Sequence, residues 1–182
     1  VRDLAGYGAW PSNSGSGFRG LTTFYTALVR SLNTCAVRIN LAYGVTNSYD
    51  FLVNKLGFKN LTYTDSQQVG NMALGGFEKG VTTEEMAAAY GAFVNDGVFT
   101  YGRTYSYVKD SSGEVVLENP ARTIVAFKAN TAWNMTDMLC NAVNSGTGSE
   151  ARLSGMPVGG KTGTTNYNAD GWFMGFTPNL VS

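Results

Sequence analysis

Apolar positions recur at helical spacing through the first half of this chain and at strand spacing mainly near its end. Leu21, Phe24, Tyr25, Leu28 and Val29 share one side of a stretch that predicts a helix over Leu21–Ser31. Ser31-Leu32-Asn33-Thr34 interrupts it and offers N-cap residues to a second helix over Cys35–Tyr43, ended by Gly44. Ser48 is placed to cap a short helix carrying Phe51, Leu52 and Leu56, with Gly57 as its stop. Gly70–Gly80, which contains Ala73-Leu74-Gly75-Gly76, reads as a glycine-rich loop. The plainest helix is Glu84–Asn95: Thr82 or Thr83 caps it, Glu84 and Glu85 occupy its first turn, and Gly97 follows it.

The second half changes character. Tyr105–Leu117 predicts a hairpin turning at Asp110-Ser111-Ser112-Gly113, and Ala126–Val143 is helical again until Gly146-Thr147-Gly148 breaks it. Met156–Thr165 and Gly171–Pro178 alternate as two neighbouring antiparallel strands, with Asp170 ordering the turn between them. Residues 1–20 form an irregular lead-in of glycine, serine and proline, although Tyr7, Trp10, Pro11 and Phe18 are more than a spacer requires. The pattern is α+β. No cap or strand signal opens the chain and nothing covers its last strand, so residues 1–182 read as a partial domain.

Composition narrows the chemistry. At 182 residues and 43% hydrophobic content, the chain can bury a core of its own. Thirteen basic and thirteen acidic residues leave no net field to draw nucleic acid, and no apolar run is long enough to span a bilayer. Histidine is absent. That removes Ser-His-Asp and Cys-His catalysis, argues against a catalytic zinc, and leaves Lys, Asp, Glu or Tyr as any general base. Cys35 and Cys140 are expected as small buried apolar residues rather than a disulfide.

The candidate chemistry centres on Pro157-Val158-Gly159-Gly160-Lys161-Thr162-Gly163-Thr164-Thr165. Gly155 to Thr162 also satisfies the phosphate-loop pattern G-x-x-x-x-G-K-[ST]. A phosphate loop needs a buried strand before its first glycine and a helix opening at its lysine. Ser149–Ser154 is no such strand, and Gly163, Thr164 and Thr165 favour a strand over a helix. The stretch fits better as an edge strand beside a cleft. There Gly163 lets a peptide lie against the backbone, Thr162 and Thr164 offer hydroxyls to a carboxylate, and Lys161 supplies positive charge and a proton route. Ser31 and Asn33, between two helices, can face the same cleft: Asn to hold an amide, Ser to pass a proton.

Lys161-Thr162-Gly163 and Ser31-Leu32-Asn33, in this order, resemble two of the three signature motifs of penicillin-binding transpeptidases and serine β-lactamases. Trp10-Pro11-Ser12-Asn13 with Arg19-Gly20, the Ala73-Leu74-Gly75-Gly76 segment, and Asp170, Trp172, Phe173, Gly175 and Phe176 extend the likeness to the bifunctional, class A type. The resemblance implies a helical lobe packed on an antiparallel sheet with the active site between them. It implies a serine acyl-enzyme formed from the D-Ala-D-Ala end of peptidoglycan stem peptides, trapped by β-lactam antibiotics, on the extracytoplasmic face of a bacterial membrane. A glycosyltransferase domain is expected upstream. By position, the catalytic residues in this chain would be Ser31, Asn33 and Lys161, and the substrate-binding residues Thr162, Gly163 and Thr164. A carboxypeptidase or β-lactamase-like hydrolase and a non-catalytic relative remain as alternatives.

One motif is missing. No serine between Val1 and Arg30 has a lysine three places on. Ser106-Tyr107-Val108-Lys109 has the letters, but it follows the second motif and lies in a predicted strand. There, residues three apart point to opposite faces. The chain alone is therefore expected to be inactive, with its nucleophile supplied by the missing N-terminal part of the same domain.

Overall fold

The computed structural model describes residues 10–15, 17–165 and 169–182. Tyr7 and the first nine lead-in positions, Ser16, and the turn residues Asn166 and Asn168 lie outside the described residues. Helices come first: α1 Phe24–Val29, α2 Asn33–Tyr43, α3 Val45–Asp50 running into a π-helical turn at Phe51–Lys55, α4 Tyr63–Gln67, α5 Val69–Leu74 and α6 Thr83–Val94. Short strands follow, β1 Val98–Thr100, β2 Tyr107–Lys109, β3 Val115–Glu118 and β4 Thr123–Val125. The long α7 Ala129–Ser145 then leads through a 3-10 turn to β5 Gly159–Thr164 and β6 Gly171–Phe176. The α+β expectation holds, as three antiparallel pairs (β1 with β4, β2 with β3, β5 with β6) beside a helical body.

Most of the predicted elements are present. The hairpin turns where expected, with the Asp110 carboxylate accepting from the Ser112 hydroxyl and from the Ser112 and Glu114 amides. Helix α6 starts with a capping box: the Thr82 hydroxyl accepts from the Glu85 amide while the Glu85 carboxylate accepts from the Thr82 amide. Four expectations need correction. Ser48 does not cap a helix but lies inside α3, where its hydroxyl accepts from Asn40 Nδ2 at 2.8 Å. The Gly70–Gly80 segment is helical as far as Leu74, because Gly75 adopts φ 80° and ends α5 there. Helix α4 and the β1–β4 pair are additions, each too short for periodicity to reveal. Cys35 and Cys140 are free as expected but only half-buried; burial, with the charge of Asp137, raises the Cys140 pKa.

One core cluster gathers Leu56, Phe58, Leu61, Ala89, Ala92 and Phe99, with Phe127 stacked on Phe93 at 5.1 Å between ring centres. The second buried seam runs along α7, through Ala132, Leu139, Ala142 and Val143, all at most 1% exposed. Helix α7 packs against α1, α6 and β5, and β6 packs against α6. It is thus the spine on which both walls of the site are mounted.

A carboxylate fastens the loop after α5. Asp65, fully buried, accepts from the Thr62 amide, Asn71 Nδ2 and the Glu78 amide at 2.9, 2.8 and 3.0 Å. Burial opposes its charge, yet these bonds outweigh burial and hold its pKa below the usual 3.8.

Candidate active site

The first wall is the junction of α1 and α2. Helix α1 ends in a Schellman motif: the Ser31 amide donates to Leu28 O at 3.0 Å and the Leu32 amide to Ala27 O at 2.8 Å. Ser31 takes the left-handed position of that motif, with φ 53°. The buried Leu32 closes it and at once becomes the first residue before α2. Ser31 and Asn33 therefore flank a tight reversal, and neither acts as the expected N-cap. That task falls to Asn13, twenty-one positions upstream, whose Oδ1 accepts from the Thr34 amide and hydroxyl at 3.1 and 3.2 Å. Asn33 Nδ2 donates to Ser12 O at 2.9 Å. The lead-in thus clamps the start of α2.

The second wall is β5, paired with β6 so that Lys161 faces Met174 and Gly163 faces Trp172. Its glycines are steric necessities at the inner end. A Cβ on Gly159 would strike the Phe176 ring, and one on Gly160 would lie 2.6 Å from Met174 O. Phe173 thereby covers the Gly160–Gly175 hollow as sheet packing, matching its expected role. The far edge of β6 is occupied, since Gly175 and Ser182 exchange bonds at 2.7 and 2.9 Å. Among the described residues β5 pairs only with β6, so its own outer edge stays open. The phosphate-loop alternative fails here: Lys161 lies in a strand, not at a helix start, and only an isolated bridge, Leu153 to Met156, precedes it. The Ser106 decoy fails too, because Lys109 is drawn over the Tyr107 ring.

The two walls touch. Lys161 Nζ lies 2.7 Å from Ser31 Oγ, across 130 residues of sequence, and 2.9 Å from Thr162 O. Burial lowers the lysine pKa, because desolvation disfavours its charged form. The contact depends on Gly146, at the end of α7. A Cβ there would run into Val29 O and would stand 2.7 Å from Ala142 O, so only glycine lets α7 approach α1 this closely. The next residue, Thr147, was read only as part of a helix stop; its hydroxyl meets that of Thr162 at 3.0 Å. A hydroxyl between two glycines was the sequence signal for it. Thr162 is half-buried, whereas Gly163 and Thr164 are exposed along the open edge. Asp170 orders the following turn, its amide donating to the Thr165 hydroxyl at 2.8 Å.

Residues 2–180 match the family model described as the penicillin binding protein transpeptidase domain. The chain belongs to that family. Penicillin-binding protein 1A of Clostridium acetobutylicum is 37% identical over 169 residues, which is 92% of this chain and 20% of that protein. The transpeptidase chain described here thus spans about a fifth of that relative's length. Among solved structures, penicillin-binding protein 1A from Haemophilus influenzae superposes with a TM-score of 0.76, covering 94% of this chain and 30% of that one at 21% identity. Penicillin-binding protein A from Mycobacterium tuberculosis, solved as an imipenem acyl-enzyme complex, gives 0.75 at 17% identity over 91% of this chain and 42% of its own. At these identities the two structures establish the transpeptidase fold alone. Among the described residues no helix is long and apolar enough to cross a membrane, and no cluster of ligating side chains could hold a metal.

Proposed function

We propose that this chain forms one side of the active site of a serine D-Ala-D-Ala transpeptidase that cross-links peptidoglycan stem peptides outside the cytoplasmic membrane. The observation that carries the reading is the 2.7 Å contact between Lys161 Nζ and Ser31 Oγ beside an open strand edge. A serine outside this chain, activated by a lysine one helical turn on, attacks the penultimate D-alanine carbonyl. Terminal D-alanine leaves as its amine, taking a proton through Ser31, which Lys161 holds in place. An amine of a neighbouring stem then attacks the acyl-enzyme and forms the cross-link.

The open edge of β5 receives the donor peptide as an added strand. A Cβ on Gly163 would meet only Trp172 Cβ at 3.6 Å, so the protein's own packing does not require glycine there. Room for the peptide does. Thr162 and Thr164 bind the terminal carboxylate, the Thr164 amide is one donor of the oxyanion hole, and Asn33 binds a substrate amide. β-Lactams, carrying a carboxylate beside a strained amide, enter by the same contacts and stop at the acyl-enzyme. A glycosyltransferase domain upstream in the full-length protein would make the strands that this domain joins.

The test is covalent labelling with a fluorescent penicillin, read by intact mass. The full-length parent should gain one penicilloyl group per chain, and the present polypeptide alone should gain none. An unlabelled parent would overturn the assignment, and a labelled isolated polypeptide would overturn the placement of the nucleophile.

A further inference from the structure

Thr147 stands on a loop whose position is fixed from both sides. The Gly146 and Gly148 amides both donate to Ala142 O, at 3.1 and 3.0 Å, so the loop cannot drift from the end of α7. The threonine side chain between them is exposed on the side where β5 passes. Its hydroxyl is 3.0 Å from the Thr162 hydroxyl, while Lys161 Nζ lies 2.9 Å from Thr162 O. Thr162 is held at its carbonyl and at its hydroxyl by two different elements.

We infer that Thr147 is a positioning residue for carboxylate recognition, acting through Thr162. This rests on the reading above, in which Thr162 binds the ligand carboxylate. A hydroxyl has one proton to donate and lone pairs to accept with. Without ligand, Thr162 can spend its proton on Thr147. When a carboxylate arrives, Thr147 turns its own proton toward Thr162 Oγ1, and the Thr162 proton is freed for the anion. The chain of donors then runs Thr147 to Thr162 to carboxylate, each bond polarising the next. No bond other than hydrogen bonds changes partner.

The experiment uses the full-length parent with benzylpenicillin and its methyl ester, which lacks the anion, and reads second-order acylation rates. Thr147→Val keeps the shape and removes the hydroxyl; Thr147→Ser keeps the hydroxyl. Thr147→Val should acylate roughly tenfold more slowly with the free acid, the loss of one bond in an anion-binding chain, and Thr147→Ser should recover to within about twofold of wild type. With the methyl ester, wild type and Thr147→Val should be equal. An unchanged free-acid rate in Thr147→Val overturns the inference. Equal losses for acid and ester do so as well, since a loop that merely misfolds would slow both. A serine variant as slow as the valine one also refutes it. If the wild-type parent is not acylated at all, the transpeptidase reading itself fails; indifference of an acylated parent to position 147 removes only this inference.

Discussion

Gly146→Ala is the substitution expected to separate the two walls of the site. Gly146 has φ −111° and ψ −150°, a conformation open to any L-residue, so the difficulty is room and not backbone strain. The added Cβ would sit 2.7 Å from Ala142 O, and Val29 O obstructs it further. A carbon–oxygen contact relaxes at about 3.3 Å, so α1 and α7 must part by about 0.6 Å or more. Ser31 follows α1 by two residues, and Lys161 rides on β5, which packs on α7. The same opening would stretch their 2.7 Å contact to about 3.3 Å, where a hydrogen bond is weak. Overpacking of this kind costs about 1–3 kcal/mol, or about 2–12 °C in Tm for a domain of this size. Calorimetric unfolding and penicillin acylation of the full-length parent should therefore fall together. Gly148→Ala supplies the control within the same loop. Its Cβ would find Phe173 and Val143 carbons at 3.4 Å and Ala142 O at 3.5 Å, ordinary contacts, and the stability change should stay within about 0.5 kcal/mol. If Gly146→Ala proves as harmless as Gly148→Ala, the close approach does not hold the site together.

Two further expectations concern titration. Asp65→Ala leaves the Thr62 and Glu78 amides without their acceptor and should cost about 3 kcal/mol by denaturant titration at neutral pH. Because the folded pKa of Asp65 is depressed, its contribution is complete above 3.8 and is lost as pH falls through the lower folded value. The gap between wild type and variant should therefore narrow only in that acid range, and a gap independent of pH there would refute the account. Lys161→Met should abolish acylation without loosening the fold. The buried lysine binds fewer protons folded than unfolded, so its burial cost is present below its folded pKa and is relieved as pH rises toward 10.5. Wild type should gain stability relative to Lys161→Met across that alkaline interval; a loss would show the charge to be stabilising.

What the sequence disclosed depended on how local the cause was. Helix α6 was legible because Thr82, Glu85 and Gly97 mark its ends within the segment itself. Strand β5 was legible from Gly159, Gly160 and Gly163, whose lack of side chains is a strong signal in any setting. Helix α4 carried its own sign, Thr62 three residues before Asp65, but five residues are too few for an apolar stripe. Other features arose from distance. No local pattern could reveal that Asn13 caps α2, or that Lys161 meets Ser31, since each joins parts of the chain that only the packed α7 brings together. The order of the two motifs suggested a shared cleft. Their contact, and Thr147 beside it, required the fold.

The left-handed backbone of Ser31 sets foldability against chemistry at a single position. Glycine would occupy φ 53° without the clash between Cβ and carbonyl that any other residue meets, a difference of about 1 kcal/mol. A Schellman turn asks only for that backbone, whereas proton transfer asks for the hydroxyl. Selection of this domain for thermal stability alone would therefore drift toward glycine at 31, yielding a better-folded protein with no relay. A screen that ranks variants by Tm would reward the loss of the group that Lys161 holds.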